Sequence, residues 1–592
     1  MKQRKRTWVL LMAAVFAIGM ALALAGCGSS EEAGGDSAGG EASAPVAAAP
    51  TGTYTGVWVD EQDQPTDSPS DNAVQAFFGI RYAAPVERWK PATDVTTTTD
   101  EAIDATQWGP CCIQPYDEVE IASQGELSED DLNLNIWTKD VATTGKPVFV
   151  YIHGGGFMNG GAHDPMYEGD SFVRNVPEGE DIVFVSINYR TNLFGNIYLN
   201  DLEGYTDEYK DAINLHLLDQ IQALKWVSEN IEGFGGDPGN VTVCGQSCGG
   251  MAISYMLAKG EDATQYFQKA IIESGAPHVA GCTLEKKQEE AQMIFDTFGV
   301  KTLDEFLALS DTDIKDKGLD QYFENMKGLG LIYADGDIIP TDWWDRIRDG
   351  SAEGVKVMIG CMSGENDWAA YDWESEEGDL WKDPQDVWDN YIAGKSADAG
   401  DDFAAEVPYY INPVSKDGSP AIDWDAFLKT DEDPVKAAVD LYNDVVYVQG
   451  TEYEAEALSG YTDTYVYYWT YCPPAEDIVS YCEANGMEPE ISPYDRPQHS
   501  MGMLFGLGNT DNGYNELSGD PAKLPKDLQP MMMSAYYNFA KAGDPNNDLI
   551  PEWAAYDKET HNTMVMGEEW TLTKDPRQAQ REAFDVRPNG EK

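Results

Sequence analysis

The residues best suited to chemistry lie in Val241-Thr242-Val243-Cys244-Gly245-Gln246-Ser247-Cys248-Gly249-Gly250, followed by the helical pattern Met251-Ala252-Ile253-Ser254-Tyr255-Met256-Leu257. A β-branched run passes through G-x-S-x-G straight into a helix. Glycines on both sides of a serine permit a sharp, strained turn that leaves the hydroxyl exposed at the helix N-terminus. G-x-S-x-G alone also describes ordinary glycine-rich turns, so it is the flanking strand and helix that point to Ser247 as a nucleophile. Upstream, the apolar run Val148-Phe149-Val150-Tyr151-Ile152 ends in His153-Gly154-Gly155-Gly156-Phe157. Successive glycines let bare backbone N–H groups converge on one point, as the anionic intermediate of acyl transfer requires. The expected donors are the amides of Gly155, Gly156 and Cys248. A phosphate-cradling loop is the competing reading, but the Lys-Ser/Thr pair of a P-loop is missing and no G-x-G-x-x-G opens a helix here. His153 reads as a structural support rather than a base.

A serine hydroxyl is a poor nucleophile until an imidazole takes its proton, and the imidazole needs a carboxylate to hold its tautomer. In sheet hydrolases the chain order is Ser, then Asp or Glu, then His. Three histidines follow Ser247: His278, His499 and His561. His278 comes too early to leave an acid-bearing strand before it, and His561 falls in a surface hairpin pattern beyond the last helix. His499 remains as the base.

The elements that must position these groups are legible as short buried runs bounded by Gly, Pro, Asn or Asp. Pro147–Ile152, Ile182–Asn188, Val241–Gly245, Ala270–Ser274 and Val355–Gly360 read as strands, and Ile213–Asn230 as a helix between two of them. Strands with helical crossovers predict an α/β fold with a large, mostly parallel central sheet and helices on both faces. The stretches Thr302–Lys327 and Val435–Leu458 read as a helical cap region. No repeat period is present.

With these residues in place, the chain resembles the type B carboxylesterase and lipase family of the α/β-hydrolase fold, which includes cholinesterases and bacterial para-nitrobenzyl esterases. The resemblance runs from about Gly52 to about Thr571. It is carried by Phe78-Gly79-Ile80-Arg81-Tyr82-Ala83, by Ser128-Glu129-Asp130-Asp131-Leu132-Asn133-Leu134-Asn135-Ile136-Trp137, by Asn188-Tyr189-Arg190 and by Leu217-Leu218-Asp219-Gln220. Phe234-Gly235-Gly236-Asp237-Pro238 and Asn538-Phe539-Ala540-Lys541-Ala542-Gly543-Asp544-Pro545 add to it. The resemblance implies that His499, in His499-Ser500-Met501-Gly502-Met503-Leu504-Phe505-Gly506, is the base. It also implies that Glu365, after Val357-Met358-Ile359-Gly360-Cys361-Met362-Ser363-Gly364, is the triad carboxylate; Asp367 takes that place if the turn shifts by two. The sequence departs from the family at Gln246 and Gly502, where Glu is usual or frequent, and at Asp131, which replaces the second Cys of the family's first disulfide and leaves Cys111 or Cys112 without its usual partner. No Trp lies between Cys112 and Asp131 to act as a choline-binding ring, so acetylcholine is not the expected substrate.

The expected activity is hydrolysis of a small-molecule carboxylic ester through an acyl-enzyme on Ser247, with no metal and no organic cofactor. The alternative is a catalytically inactive, cholinesterase-like surface binding or adhesion protein; the filled triad positions speak against it. A formal charge of −65 from 104 acidic and 39 basic side chains excludes nucleic acid as a partner, since a polyphosphate needs clustered Lys and Arg. Apolar residues at 42% and aromatics at 11% are enough for a large core and exclude a disordered chain.

The N-terminus reads as an address. Lys2, Arg4, Lys5 and Arg6 precede an uncharged apolar run, Thr7–Ala25, that closes on Leu24-Ala25-Gly26-Cys27. This predicts a lipoprotein signal at 1–26 with lipidation of Cys27, a flexible Gly/Ser/Ala-rich tether at 27–51 and the hydrolase domain at 52–592. The mature protein is expected to be exported, at the cell surface or facing the periplasm, touching a bacterial membrane only through its lipid. In such a compartment disulfides form, and Cys472–Cys482 is the expected bridge.

Overall fold

The computed structural model describes residues 43–583 apart from 62–63, 97–100, 116–125, 278–281, 327–331, 366, 368–435, 437–438, 441–442, 488, 490–491, 493 and 512–514. The signal segment, Cys27, most of the tether and His278 lie outside the described residues.

The strands in chain order are β1 (Val46–Ala49), β2 (Gly52–Thr55), β3 (Val57–Val59), β4 (Pro65–Thr66), β5 (Val74–Arg81), β6 (Ile103–Asp104), β7 (Asn133–Thr138) and β8 (Lys146–Ile152). After them come β9 (Val183–Ile187), β10 (Gly236–Gln246), β11 (Lys269–Glu273), β12 (Lys356–Met362), β13 (Thr464–Trp469), β14 (Asn562–Met566) and β15 (Trp570–Lys574). A 12-stranded sheet runs in the order β15-β14-β13-β12-β11-β10-β8-β9-β7-β5-β3-β4. From β9 to β14 all pairings are parallel, while β7, β5, β3 and β4 on one side and β15 on the other are antiparallel. Each expected strand is present to within a few residues, β10 extending furthest beyond its expected start, and the helix expected at 213–230 forms at Leu215–Asn230.

Every residue of β8, β9 and β11 is buried, because helices cover both faces of the sheet. Alternate side chains divide between two cores. Val148, Val150, Ile152, Val243, Ile272 and Ile359 meet Leu217, Leu224, Val227, Ile253 and Met256 on one face. Phe149, Tyr151, Cys244, Ile271 and Met358 meet Phe505, Met532, Tyr536 and Phe539 on the other. A third cluster joins the helix Leu284–Phe298 to Phe306, Ile314 and Leu319, so the 302–326 stretch packs beside the sheet as expected of a cap. The helix Gln449–Leu458 does not. Its Tyr453, Ala455 and Leu458 enter the main core against the sheet, because its apolar face is continuous with that of Trp343–Arg348.

Two further expectations are corrected. Residues 43–51 are folded rather than tether: β1 pairs antiparallel with β2 over Val46–Thr55, and Ala47 is buried. A strand of alanines escapes a search for large apolar residues, yet its backbone is packed closely: a Cβ on Gly233 would stand 2.3 Å from the Ala48 carbonyl oxygen. The Cys472–Cys482 bridge is not formed; Cys472 carries a thiol. Cys482 lies buried within the helix Ala475–Asn485, which begins three residues after Cys472.

Candidate active site

The chain crosses the sheet at one place. From β8 it goes to β9 on one side, then returns over β8 to form β10 on the other, so the carboxyl ends of β8 and β10 border a topological switch point. In open α/β sheets such a point is where ligands bind. The glycine run follows β8 and Ser247 follows β10, so the switch point brings these two motifs together.

Ser247 has φ 57° and ψ −127°, a conformation that costs strain for any residue with a Cβ. The neighbouring glycines make it reachable. A Cβ on Gly245 would lie 2.5 Å from the Gly249 carbonyl carbon, and one on Gly249 would lie 2.3 Å from the Ile152 carbonyl oxygen. Strand, turn, helix and the end of β8 are thus packed backbone to backbone. The Ser247 N–H donates to the Glu273 carbonyl at 2.9 Å, and the Ser247 carbonyl accepts from Met251 as the helix Cys248–Lys259 begins.

Gly155, Gly156 and Phe157 all have positive φ, at 102°, 61° and 60°. This bend turns amides toward the elbow. The Phe157 N–H lies 3.1 Å from Cys248 Sγ, and the Tyr189 hydroxyl lies 3.6 Å from the same sulfur. Burial pushes the Cys248 thiol up to about 11, against the pull of Tyr189 and of the N–H groups of Phe157, Gly156 and Cys248 itself. The N–H groups of Gly156, Phe157 and Cys248 thus face the Cys248 sulfur, one residue from Ser247. Neither Phe157's part nor the Cys248 sulfur was visible in the sequence.

His499 Nδ1 stands 2.5 Å from Glu365 Oε2. The carboxylate is fully buried, and its other oxygen accepts the Met362 N–H at 2.7 Å. The acid turn and the base loop are also joined through backbone: His499 N–H donates to the Glu365 carbonyl at 3.1 Å, and Gly364 N–H to the Pro497 carbonyl at 3.1 Å. Asp367 is occupied elsewhere. Arg496 grips it with Nε at 2.9 Å and Nη2 at 2.6 Å, while Asn443 donates to it at 3.2 Å and Ser492 also donates. The Tyr447 ring lies 4.8 Å from the imidazole of His499. On its far side, His499 Nε2 is 2.8 Å from Gln246 Nε2.

The remaining histidines fall away from this centre. His153 is buried, stacked on Tyr189 at 4.2 Å, with Nδ1 bonded to the Gly154 carbonyl at 2.8 Å; burial lowers it to about 4, so its ring is neutral at pH 7. His561 precedes β14 and lies at the amino edge of the parallel strands, opposite the switch point. The family motifs without chemistry have structural partners. Arg81 pairs with Asp130 at 2.6 Å and Arg190 with Asp219 at 2.6 Å. Asp131 is fully buried without a hydrogen-bond partner for either oxygen, and burial drives its carboxyl well above the usual range.

Buried titratable groups make the stability depend on pH. Burial raises Glu273, bonded to the Tyr536 hydroxyl at 2.7 Å, and Glu454, bonded to Ser254 at 2.9 Å, to about 8 each. Unfolding releases their protons from about pH 4.3 upward, so their contribution is full below that and is lost as pH rises to about 8. Burial lowers His153, His163 and His216 to about 4, 4 and 3, so these cost stability as pH falls from about 6.5. The two sets oppose each other below about 6.5; above it the histidines are neutral in both states and the carboxyls act unopposed by them, Glu452 among them, since burial raises it too to about 8. The melting temperature is expected to fall by several degrees between pH 6.5 and pH 8. Calorimetry of the Glu273→Gln, Glu454→Gln double variant should show a flatter alkaline side.

A mostly parallel sheet wound about a switch point, with a strained serine after a strand and a buried Glu–His pair opposite it, defines an α/β-hydrolase. The profile of the carboxylesterase family matches residues 44–584, and the chain belongs to that family of enzymes. It is 30% identical over 526 residues to the para-nitrobenzyl esterase of Bacillus subtilis (strain 168), spanning 87% of this chain and 95% of that protein. It is 28% identical over 533 residues to a liver carboxylesterase of Sus scrofa, spanning 82% and 84% respectively. The solved structure of a PNB esterase superposes with a TM-score of 0.69 at 27% identity, covering 91% of this chain and 99% of the other.

Proposed function

We propose that Ser247, His499 and Glu365 form the triad of a serine carboxylesterase. Ser247 Oγ attacks the ester carbonyl, His499 Nε2 accepts its proton and returns it to the departing alcohol, and water then repeats the cycle on the acyl-enzyme. Glu365 holds the tautomer with hydrogen on Nδ1, and the amides of Gly155, Gly156 and Cys248 receive the oxyanion. The observation that carries the reading is the 2.5 Å contact between His499 Nδ1 and buried Glu365, which leaves Nε2 as the lone-pair nitrogen on the side of the elbow. The relatives named as para-nitrobenzyl esterase and liver carboxylesterase support a carboxylic ester, such as a para-nitrobenzyl ester, as substrate. Hydrolysis of para-nitrophenyl acetate, butyrate and octanoate, together with mass-spectrometric location of a fluorophosphonate adduct on Ser247, tests it. A wild type inert to both would sink the reading in favour of a binding protein.

The export reading is part of the proposal: cleavage after Gly26, lipid on Cys27 and a tether ending near Ser43, where the folded body begins. Metabolic labelling with an alkynyl fatty acid is expected to mark the expressed full-length chain and to fail in Cys27→Ala.

A further inference from the structure

With Nδ1–H given to Glu365, the imidazole of His499 has a single in-plane lone pair, on Nε2. Proton transfer from Ser247 needs that lone pair. In the structure it is taken: the Gln246 carboxamide lies 2.8 Å from Nε2, and only its N–H can pair with an unprotonated nitrogen. Among the described residues the Ser247 hydroxyl has no hydrogen-bond partner. Gln246 is 2% exposed and lies against the glycine loop on its other side, since a Cβ on Gly154 would come 2.6 Å from Gln246 Oε1. The carboxamide is thus held between the first glycine of the loop and the base.

We propose that Gln246 is a positioning residue that caps His499 Nε2 in the resting enzyme, holding the imidazole apart from Ser247 until bound substrate brings the hydroxyl into competition for the lone pair. The inference rests on the triad reading above and says how that site is regulated. A hydrogen bond donated to the unprotonated nitrogen favours the neutral ring. An ionised carboxylate in the same place has no proton to donate and favours the imidazolium instead, so the cap is a property of Gln at this position. The other titratable and charged groups near the ring stay constant through the test. They are Glu365 on Nδ1, Glu273 on the neighbouring strand and electrostatically coupled to Glu365, the Tyr447 ring, the Cys248 thiol beside Ser247, and the Arg496–Asp367 pair in the adjoining loops.

Two readouts test this on the signal-free chain. The acid limb of kcat/KM for para-nitrophenyl butyrate is expected to move upward in the order wild type, Gln246→Leu, Gln246→Glu, with about one pH unit between the first and the last. Gln246→Leu, which removes the donor without adding charge, is expected to react several-fold faster with a fluorophosphonate than wild type does. The His499 ring titration, followed by 15N NMR and assigned by its loss in His499→Asn, should show the same order and requires no turnover. Coincident titrations in all three proteins would overturn the cap while leaving the esterase reading intact. Absence of esterase activity in the wild type would overturn the esterase reading, and the titration order would still decide the cap.

Discussion

Replacing Ser247 by Ala is expected to lower kcat for para-nitrophenyl butyrate by about a million-fold. The fold should survive, because the side chain is partly exposed and only the backbone of Ser247 is bound into the elbow. Ala retains a Cβ, so the strain at φ 57° is kept and only the hydroxyl is lost. His499→Ala is expected to cost about as much, and the double variant no more than either alone, since a nucleophile and its base act as one unit. What remains, roughly a thousand-fold over water, would come from the glycine-loop amides and substrate positioning. Steady-state kinetics beside circular-dichroism melts of the single and double variants checks this. A Ser247→Ala protein retaining more than about a hundredth of wild-type kcat, with a matching melt, would exclude Ser247 as the nucleophile.

How much of this was legible in the sequence depends on how local each feature is. The elbow and the glycine loop were, because each is a contiguous run whose glycines answer backbone contacts within the turn. The parallel strands were as well, since burial on both faces writes them as unbroken β-branched runs. The alanine strand at 46–49 was not, because its backbone packs closely against Gly233, 185 positions from Ala48. Cys472 and Cys482 looked paired by spacing alone, yet the fold places Cys482 inside the helix Ala475–Asn485 with no bridge to Cys472. The choice between Glu365 and Asp367 needed three dimensions: the two carboxylates are two residues apart, and what separates them is the position of Arg496. Gln246 was visible as a departure from the family, yet its contact with a base 253 positions later was not.

That choice leads to the second large effect. Glu365→Gln is expected to lower kcat by about ten-thousand-fold, the loss seen when the orienting carboxylate of a triad becomes an amide that can favour the wrong tautomer. Its stability should change little, because the amide oxygen can still accept the Met362 N–H. Asp367→Asn should behave in the opposite way. Asp367 is buried and shares with Asp440 the balancing of the largely buried Arg496, so removing it is expected to cost at most the roughly 3–5 kcal/mol of breaking an unshared buried ion pair. Its main effect is therefore on the melt, with activity in the surviving folded fraction reduced far less than in Glu365→Gln. Measuring kcat per active site, by titration with a fluorophosphonate, separates the two cases. If Asp367→Asn lost kcat and Glu365→Gln lost only stability, the carboxylate roles would be reversed. The distinction has a physical basis, since one acid is bound to the imidazole and the other to a guanidinium three residues before it. The Arg496–Asp367 pair holds the loop that carries His499, and Glu365 holds the His499 imidazole itself.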